Sequence, residues 1–448
     1  MRVFLVQTAQ GLTPSSGGYK ANVNLLRALS SQGHTTAQIC YGAEPEIDEY
    51  ATRSTIYGPS VISDLDVDVI KVTDIRNVEH EIKVNTFTDE YGVFNICFDL
   101  NITGRMKALI DFYSSWISRF QPTHVVFNDP TTMKITETHP LRHTFKRINI
   151  IHTAEQLPFG PFVNGVAGHC LAPKAEDRLL RGLDGIWTVS KAIHDYAWTH
   201  GKLKTTFLIH PSRTYLDHKT GQMPMARNNV DKDEIGMVNP CPHKGISILL
   251  ALAKRFPHLK FVTWKSWGTS RDHLAELLAL PNIRVESTTE DMDEVWDRIK
   301  VLLAPSLWLE AWGIVVTEAQ LRGIPVIASN AGGLAEAKIG LPYCIPVKIV
   351  TGERHPNGDY IVAEQDIDPW AEALETLMTD RTAYEALAKL TAIKAAEWLR
   401  SLDDRAHEKW FLSMMDDNKI NGTKALAEDD LEDTNDEQAL QCAVKQEA

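Results

Sequence analysis

The chain lacks any cysteine pair with metal-binding or redox spacing: Cys40, Cys97, Cys170, Cys241, Cys344 and Cys442 stand far apart, with no Cys-x-x-Cys among them. Such dispersed thiols read as reduced core residues of a cytoplasmic protein and offer no zinc site. Positive charge is also short, with 46 Lys and Arg against 59 Asp and Glu and a net charge of −13. That balance removes the electrostatic footprint that nucleic-acid binding requires. No apolar run approaches the roughly 18 residues that span a bilayer, and MRVFLVQTAQ is too brief for a secretory signal, so no stable membrane insertion is expected. Low-complexity and fibrous patterns are missing too, and 44% hydrophobic with 23% charged residues is an ordinary soluble globular composition.

What is present is enough chain for a large core, since 448 residues at roughly 150 per domain allow two large domains or three average ones. Short β-branched runs ending in polar or glycine-rich turns alternate with helically spaced segments from the first residue to about residue 350. This alternation predicts parallel sheets. Strands are expected at Val3–Val6, Thr36–Cys40, Val67–Val72, Val93–Phe98, His124–Phe127, Asn149–Ile151, Ile186–Val189 and Thr206–Ile209, and again from Glu234 to Val347. Periodicity lapses between Tyr215 and Asp233, which marks a connection between domains. The expected architecture is α/β, two Rossmann-like doubly wound domains facing across a cleft, spanning 1–215 and 216–399. A helical stretch over Tyr384–Met415 ends in residues 400–415, which are expected to pack back on the first domain. Residues 416–448, with ten acids against Lys419, Lys424 and Lys445, read as an acidic disordered tail.

In such folds ligands sit at the carboxyl ends of strands, and polar residues concentrate there. Gly17 and Gly18 follow the first strand, Asn128 and Asp129 the fifth, His152 the sixth and Ser190 the seventh. In the second half Asn239, Trp264–Ser266, Ser306–Glu310 and Ser329–Gly333 stand in equivalent places. The segment Val301–Gly333 is the most informative. Its runs VLLAP and IPVIAS are strands, and a parallel crossover between them needs a dozen or more residues, usually helical. The predicted helix over Gly313–Leu321 is rich in β-branched residues and must be buried and held by packing. Glu310 and Glu318, eight positions apart, would be about 12 Å apart in a continuous helix. They read as two anchors along one elongated ligand, and the helix start at Ala311, Trp312, Gly313, Ile314 and Val315 offers free N–H groups suited to phosphate.

With Glu310-AWGIVVT-Glu318 followed by RGIPVIASNAGG, the chain resembles the GT-B fold glycosyltransferases, specifically glycosyltransferase family 4, whose mark is two Glu separated by seven residues. The resemblance implies that Glu310 contacts donor-sugar hydroxyls and Glu318 the ribose of a nucleotide. It places Lys244, at a helix start in IGMVNPCPHKGISIL, on the donor diphosphate, and Asn239 beside it. The family's usual Arg a few residues earlier is absent, and Lys265 in FVTWKSWG is a candidate substitute. SSGGYKANVNLLRALSSQGH resembles the family's Gly-Gly loop, and RINIIHTAEQ sets His152 where the family has a His near donor sugar and acceptor. Ser190 in DGIWTVSKAIHDY is first of all an N-cap.

The resemblance implies transfer of a hexose, glucose by expectation, from a nucleoside-diphosphate sugar such as UDP-glucose, with retention and without metal or other cofactor. His152, Asn128 and Phe159 are expected on the acceptor side, where Phe112, Tyr113, Trp116, Phe127 and Phe162 also cluster in sequence. Aromatic lining would suit a small flat or lipophilic acceptor. The Asp-x-Asp within DLDVDV at Asp64–Val69 reads as a solvated strand face, not a metal site. Other readings stay open: a glycan or lipid acceptor, a phosphorylase or a sugar-nucleotide epimerase on the same architecture, or a sugar-nucleotide-binding protein without turnover.

Overall fold

Two sheets form, one from each half of the chain. The computed structural model describes residues 1–10, 17–41, 56–62, 67–72, 104–163, 173–217, 220–266, 268–289, 291–355 and 360–424. The first sheet comprises β1 (Arg2–Gln10), β2 (Thr35–Tyr41), β3 (Ile56–Ile62), β4 (Val67–Val72), β5 (His124–Phe127), β6 (Lys146–Ile151), β7 (Gly185–Thr188) and β8 (Thr206–Phe207). Their spatial order is β3-β4-β2-β1-β5-β6-β7-β8. Helices α1 (Gly17–Ser31), α2 (Gly104–Phe120), α3 (Pro130–Thr138), α4 (Pro173–Arg181) and α5 (Lys191–Gly201) alternate with these strands.

The second sheet holds β9 (Glu234–Val238), β10 (Lys260–Trp264), β11 (Ile283–Glu286), β12 (Ile299–Ala304), β13 (Val326–Ser329) and β14 (Cys344–Ile345), in the order β11-β10-β9-β12-β13-β14. It is interleaved with α6 (Ile246–Arg255), α7 (Arg271–Leu278), α8 (Met292–Trp296), α9 (Ile314–Leu321) and α10 (Leu334–Ala337). The chain closes with α11 (Asp368–Thr379), α12 (Arg381–Ser401) and α13 (Ala406–Lys424). Val3–Val6 of β1 and Val301 and Leu302 of β12 are wholly buried, as strands covered by helices on both faces must be. The result is an α/β architecture of two Rossmann-like doubly wound domains. Strand order reverses between β1 and β5 in one sheet and between β9 and β12 in the other, and those switch points define where a ligand crevice opens.

Four expectations change. The sheet is not purely parallel, because β3 runs antiparallel to β4; the short connection from Ile62 to Val67 permits only a hairpin, whereas a parallel pair needs a long crossover. The long helix expected over Tyr384–Met415 is broken. Leu402 turns extended after α12, and the Asp403 carboxylate accepts from Arg405 N at 3.0 Å, an N-cap-type bond that opens α13. Helix α13 then runs to Lys424, so the first part of the stretch expected to be disordered is helical; residues 425–448 lie outside the described residues. α13 rests on the first sheet, where Phe411 stacks on His124 with centroids 5.3 Å apart and His407 meets Trp187 at 4.6 Å, and a helix so nucleated propagates readily. Finally, α3 was not expected from sequence; it is started by Asp129, whose carboxylate accepts from Thr132 N at 2.8 Å. Val93–Phe98, Asp64 and Asp66 lie outside the described residues.

Candidate functional site

The carboxyl ends of both sheets face one cavity of about 280 Å3 between the domains. From the second domain, the 3-10 turn Pro242–Lys244 ends at Gly245, whose φ is +86°; a Cβ there would stand 2.0 Å from the Pro305 carbonyl oxygen. Only glycine lets this turn lie on the β12 loop, where Leu307 N donates to the His243 carbonyl at 2.9 Å. The loop carrying Glu310 is held the same way from the other side. Gly333 N donates to the Glu310 carbonyl at 2.7 Å, and a Cβ on Gly332 or Gly333 would meet the backbone of Glu310 or Ala311 within 2.5 Å. These two backbone supports bring the Lys244 ammonium onto the Glu310 carboxylate, with Lys244 Nζ also 5.2 Å from the Trp308 ring centroid.

Helix α9 begins one residue after Gly313, which is left-handed at φ +95°. Its first turn holds no acid, and the Ile314 and Val315 N–H groups have no intrahelical acceptor. Both residues line the cavity with Ala311, Trp312 and Gly313. The rest of the helix, from Val316 to Leu321, is buried, as its apolar composition requires.

The first domain contributes Gly17, Gly18, His152 and His210. Neither Gly17 nor Gly18 adopts a positive φ; their role is close approach. A Cβ on Gly18 would stand 3.1 Å from His152 Cγ, and one on Gly17 3.3 Å from Ile314 Cδ1 across the domain boundary. His152 Nε2 lies 2.7 Å from Asn22 Oδ1, and burial lowers the imidazole to about 4. Ser190 Oγ accepts from Ile193 N at 3.2 Å and caps α5, while Glu336 of the second domain accepts from Lys191 N and Ala192 N, both at 2.9 Å.

The cavity thus brings together Gly17, Gly18, His152, Asn239, Lys244, Glu310 and the residues from Ala311 to Val315. Four expected residues do not line it. Glu318 is buried on α9 and paired with the Lys20 ammonium of α1. Lys265 is exposed, because β10 lies one strand outside the β9/β12 switch point. Asn128 turns its carbonyl to Gln156 Nε2 at 2.7 Å, and Phe159 packs against Gly201 of α5. Among the other aromatics, Tyr113, Phe127 and Phe162 are core residues and Trp116 packs on the core, so the aromatic acceptor wall expected from sequence is not formed by them; the Phe112 side chain lies outside what is described. Residues not anticipated are Lys20, Asn22, His210, Glu336 and Glu155. Glu155 is fully buried, contacted by the Tyr360 hydroxyl at 3.4 Å, and burial raises its carboxyl to about 7. Asn22 stands four residues from Gly18 on one helix face, and His210 directly follows the strand expected over Thr206–Ile209 as His152 follows β6; both signals were readable.

Residues 235–380 match the family model described as glycosyl transferases group 1. That glycosyl transferases group 1 segment contains Asn239, Lys244, Glu310, α9 and the Gly332-Gly333 support. A D-inositol 3-phosphate glycosyltransferase from Corynebacterium diphtheriae is 33% identical over 121 residues, 25% of this chain and 25% of that protein. The match therefore spans about a quarter of that relative's length. Among solved structures, a sucrose-phosphate synthase from Thermosynechococcus elongatus superposes with a TM-score of 0.64 at 14% identity, covering 95% of this chain and 100% of that one. Anabaena HepE in complex with UDP and glucose gives a TM-score of 0.57 at 12% identity over 95% and 100% of the two chains. These likenesses extend the GT-B fold over both domains. No described helix is long and apolar enough to cross a membrane.

Proposed function

We propose that the protein is a glycosyltransferase that moves a hexose, glucose by expectation, from a UDP-linked donor to a small-molecule acceptor, with retention and with no metal or other cofactor required. One observation carries this reading: an ammonium, a carboxylate and a helix N-terminus free of acids converge on one interdomain cavity. Breaking the anomeric C–O bond leaves negative charge on a diphosphate, and preorganised dipoles and cations lower that barrier. Lys244 and the Ile314 and Val315 N–H groups supply both. Glu310, already hydrogen-bonded to Lys244, accepts from sugar hydroxyls, and Asn239, whose buried Oδ1 has no partner among the described residues, faces the same space. Glu318, which stands on α9 beyond the cavity lining, serves the ribose end by sharing between Lys20 and the nucleotide a carboxylate now paired, among the described residues, with Lys20 alone.

His152 is a weak base at neutral pH, because burial lowers it to about 4 and an efficient general base has a pKa near the working pH. This favours a phosphate oxygen of the leaving group as the acceptor of the incoming hydroxyl's proton, and leaves His152 to orient hydroxyls. Most of the aromatic side chains that would have favoured a flat lipophilic acceptor pack in or on the core. The test is a thermal-shift panel of UDP-, GDP- and ADP-sugars on the protein and its Glu318→Ala variant, followed by donor hydrolysis in water. The enzyme reading expects one donor to stabilise the wild type, the variant to respond much less, and slow release of free sugar. Binding without hydrolysis would leave a non-catalytic sugar-nucleotide binder, and no response to any donor would end the proposal.

A further inference from the structure

Two imidazoles share the first-domain wall of the cavity, and His210 has had no role. It is 3% exposed, lines the same cavity as His152, and its ring lies nearly parallel to that of His152, with centroids 6.2 Å apart and planes 13° apart. The hydrogen bonds behind the two rings set the same Nε2–H tautomer on both but engage opposite nitrogens. The Tyr215 hydroxyl is buried and 3.1 Å from His210 Nδ1. A buried hydroxyl that fails to donate loses its bonds to water without replacement, and His210 Nδ1 is its only acceptor among the described residues. The Tyr215 proton therefore lies on that bond, Nδ1 is the bare nitrogen, and the neutral ring carries its proton on Nε2. On the neighbouring ring, Asn22 Oδ1 can only accept, so His152 Nε2 is protonated and its Nδ1 is bare. Neither His210 Nε2 nor His152 Nδ1 has a protein partner among the described residues.

We infer that His210 is a further binding residue, whose Nε2–H donates to a hydroxyl of the sugar carried by the nucleotide while His152 Nδ1 accepts from the same sugar. Every sugar hydroxyl both gives and takes a hydrogen bond, so a wall with one donor and one acceptor suits a diol better than a single polar group. A chain of hydrogen bonds with links of about 2.7–2.9 Å bridges two rings whose centroids are 6.2 Å apart. Tyr215 acts as a positioning residue, since it reaches the sugar only by setting the tautomer of His210. The inference rests on the proposed nucleotide-sugar reading of the cavity.

Isothermal titration with the pairs UDP and UDP-glucose, GDP and GDP-mannose, and ADP and ADP-glucose tests it on the full chain. In whichever pair the wild type binds, His210→Phe is expected to weaken the sugar nucleotide about tenfold and leave the bare nucleotide unchanged. His210→Gln, which keeps an N–H donor and an oxygen for the Tyr215 proton, retains most of the affinity. Tyr215→Phe, which leaves the cavity wall intact, weakens the sugar nucleotide alone by about threefold and serves where His210→Phe does not fold. If the wild type binds a pair but these variants change both members equally, or neither, the assignment of His210 is overturned and the function stands. If the wild type binds no pair, both fall.

Discussion

Replacing Lys244 by Met keeps the length of the side chain and removes its charge, and two separate losses follow. Without ligand, Glu310 loses its ammonium partner at a site where the two side chains are 22% and 14% exposed. Breaking a fully buried pair costs about 3–5 kcal/mol and an exposed pair is worth about 0–1 kcal/mol, so this partly buried one is expected to cost roughly 1–2 kcal/mol. In a domain of this size that lowers Tm by roughly 2–8 °C. The second loss appears only with donor. A hydrogen bond to a charged group contributes about 1.5–3 kcal/mol, which is roughly 10- to 150-fold in Kd. At a donor concentration a hundred times the wild-type Kd, binding stabilises the wild type by about 2.7 kcal/mol, and a variant thirtyfold weaker by about 0.9 kcal/mol. Scanning calorimetry with and without the donor separates the two losses. The double variant Lys244→Met/Glu310→Gln, which no longer strands a carboxylate, should recover apo stability without recovering the donor-induced shift. A Lys244→Met protein whose donor-induced shift equals that of the wild type would refute the assignment of Lys244 to the diphosphate.

Acidification should destabilise the fold. Burial holds His124 and His152 near 4, His243 and His407 near 3, and His210 well below its ordinary value, against about 6.5 unfolded, so the native state binds fewer protons below pH 6.5 and stability falls from there toward pH 4. Glu155 acts oppositely: raised to about 7 by burial, it favours the native state as pH falls from 7 toward its unfolded value. Five depressed histidines outweigh one raised acid, so the urea midpoint should drop between pH 7 and 5, and Glu155→Gln should steepen that drop while being more stable than the wild type at pH 8; a flat profile contradicts the assignment. Gly245→Ala forces a side chain into a backbone at φ +86° with 2.0 Å to the Pro305 oxygen, and is expected to cost more than about 2 kcal/mol and to abolish the donor-induced thermal shift. Truncation before α13 uncovers Trp187 and removes Phe411 and Met414 from the first-domain core; at about 1.5–3 kcal/mol per large apolar side chain, thermal melts should show the first domain unfolding before the second.

The second-domain half of the site was legible because its parts are contiguous. Val301–Gly333 contains strand, anchor, helix start and glycine support in one stretch, and each announces itself locally: apolar runs for β12 and β13, glycines where backbone must meet backbone. Strand-end position located His152, Asn239 and Glu310, but it misled at Lys265 because it does not say how far a strand lies from the switch point, a property of sheet order that only the fold reveals. The first-domain half depends on pairings across the chain. Lys20 and Glu318 are 298 positions apart, His152 and Asn22 are 130 apart, and Lys191 meets Glu336 from 145 positions away. No periodicity encodes such contacts, since each partner is locally an ordinary helix or loop residue. The two kinds of contact also differ in consequence. Contiguous elements build the surface proposed to meet a diphosphate whether or not the domains are together, whereas Lys20–Glu318, Glu336 on the start of α5 and Tyr360 on Glu155 exist only while the domains face one another. Charge that a ligand would use, on Glu318 above all, is therefore spent in this arrangement on holding the domains together. A nucleotide that took hold of Glu318 would compete with Lys20 for it, which would tie donor binding to the relation between the two halves of the protein.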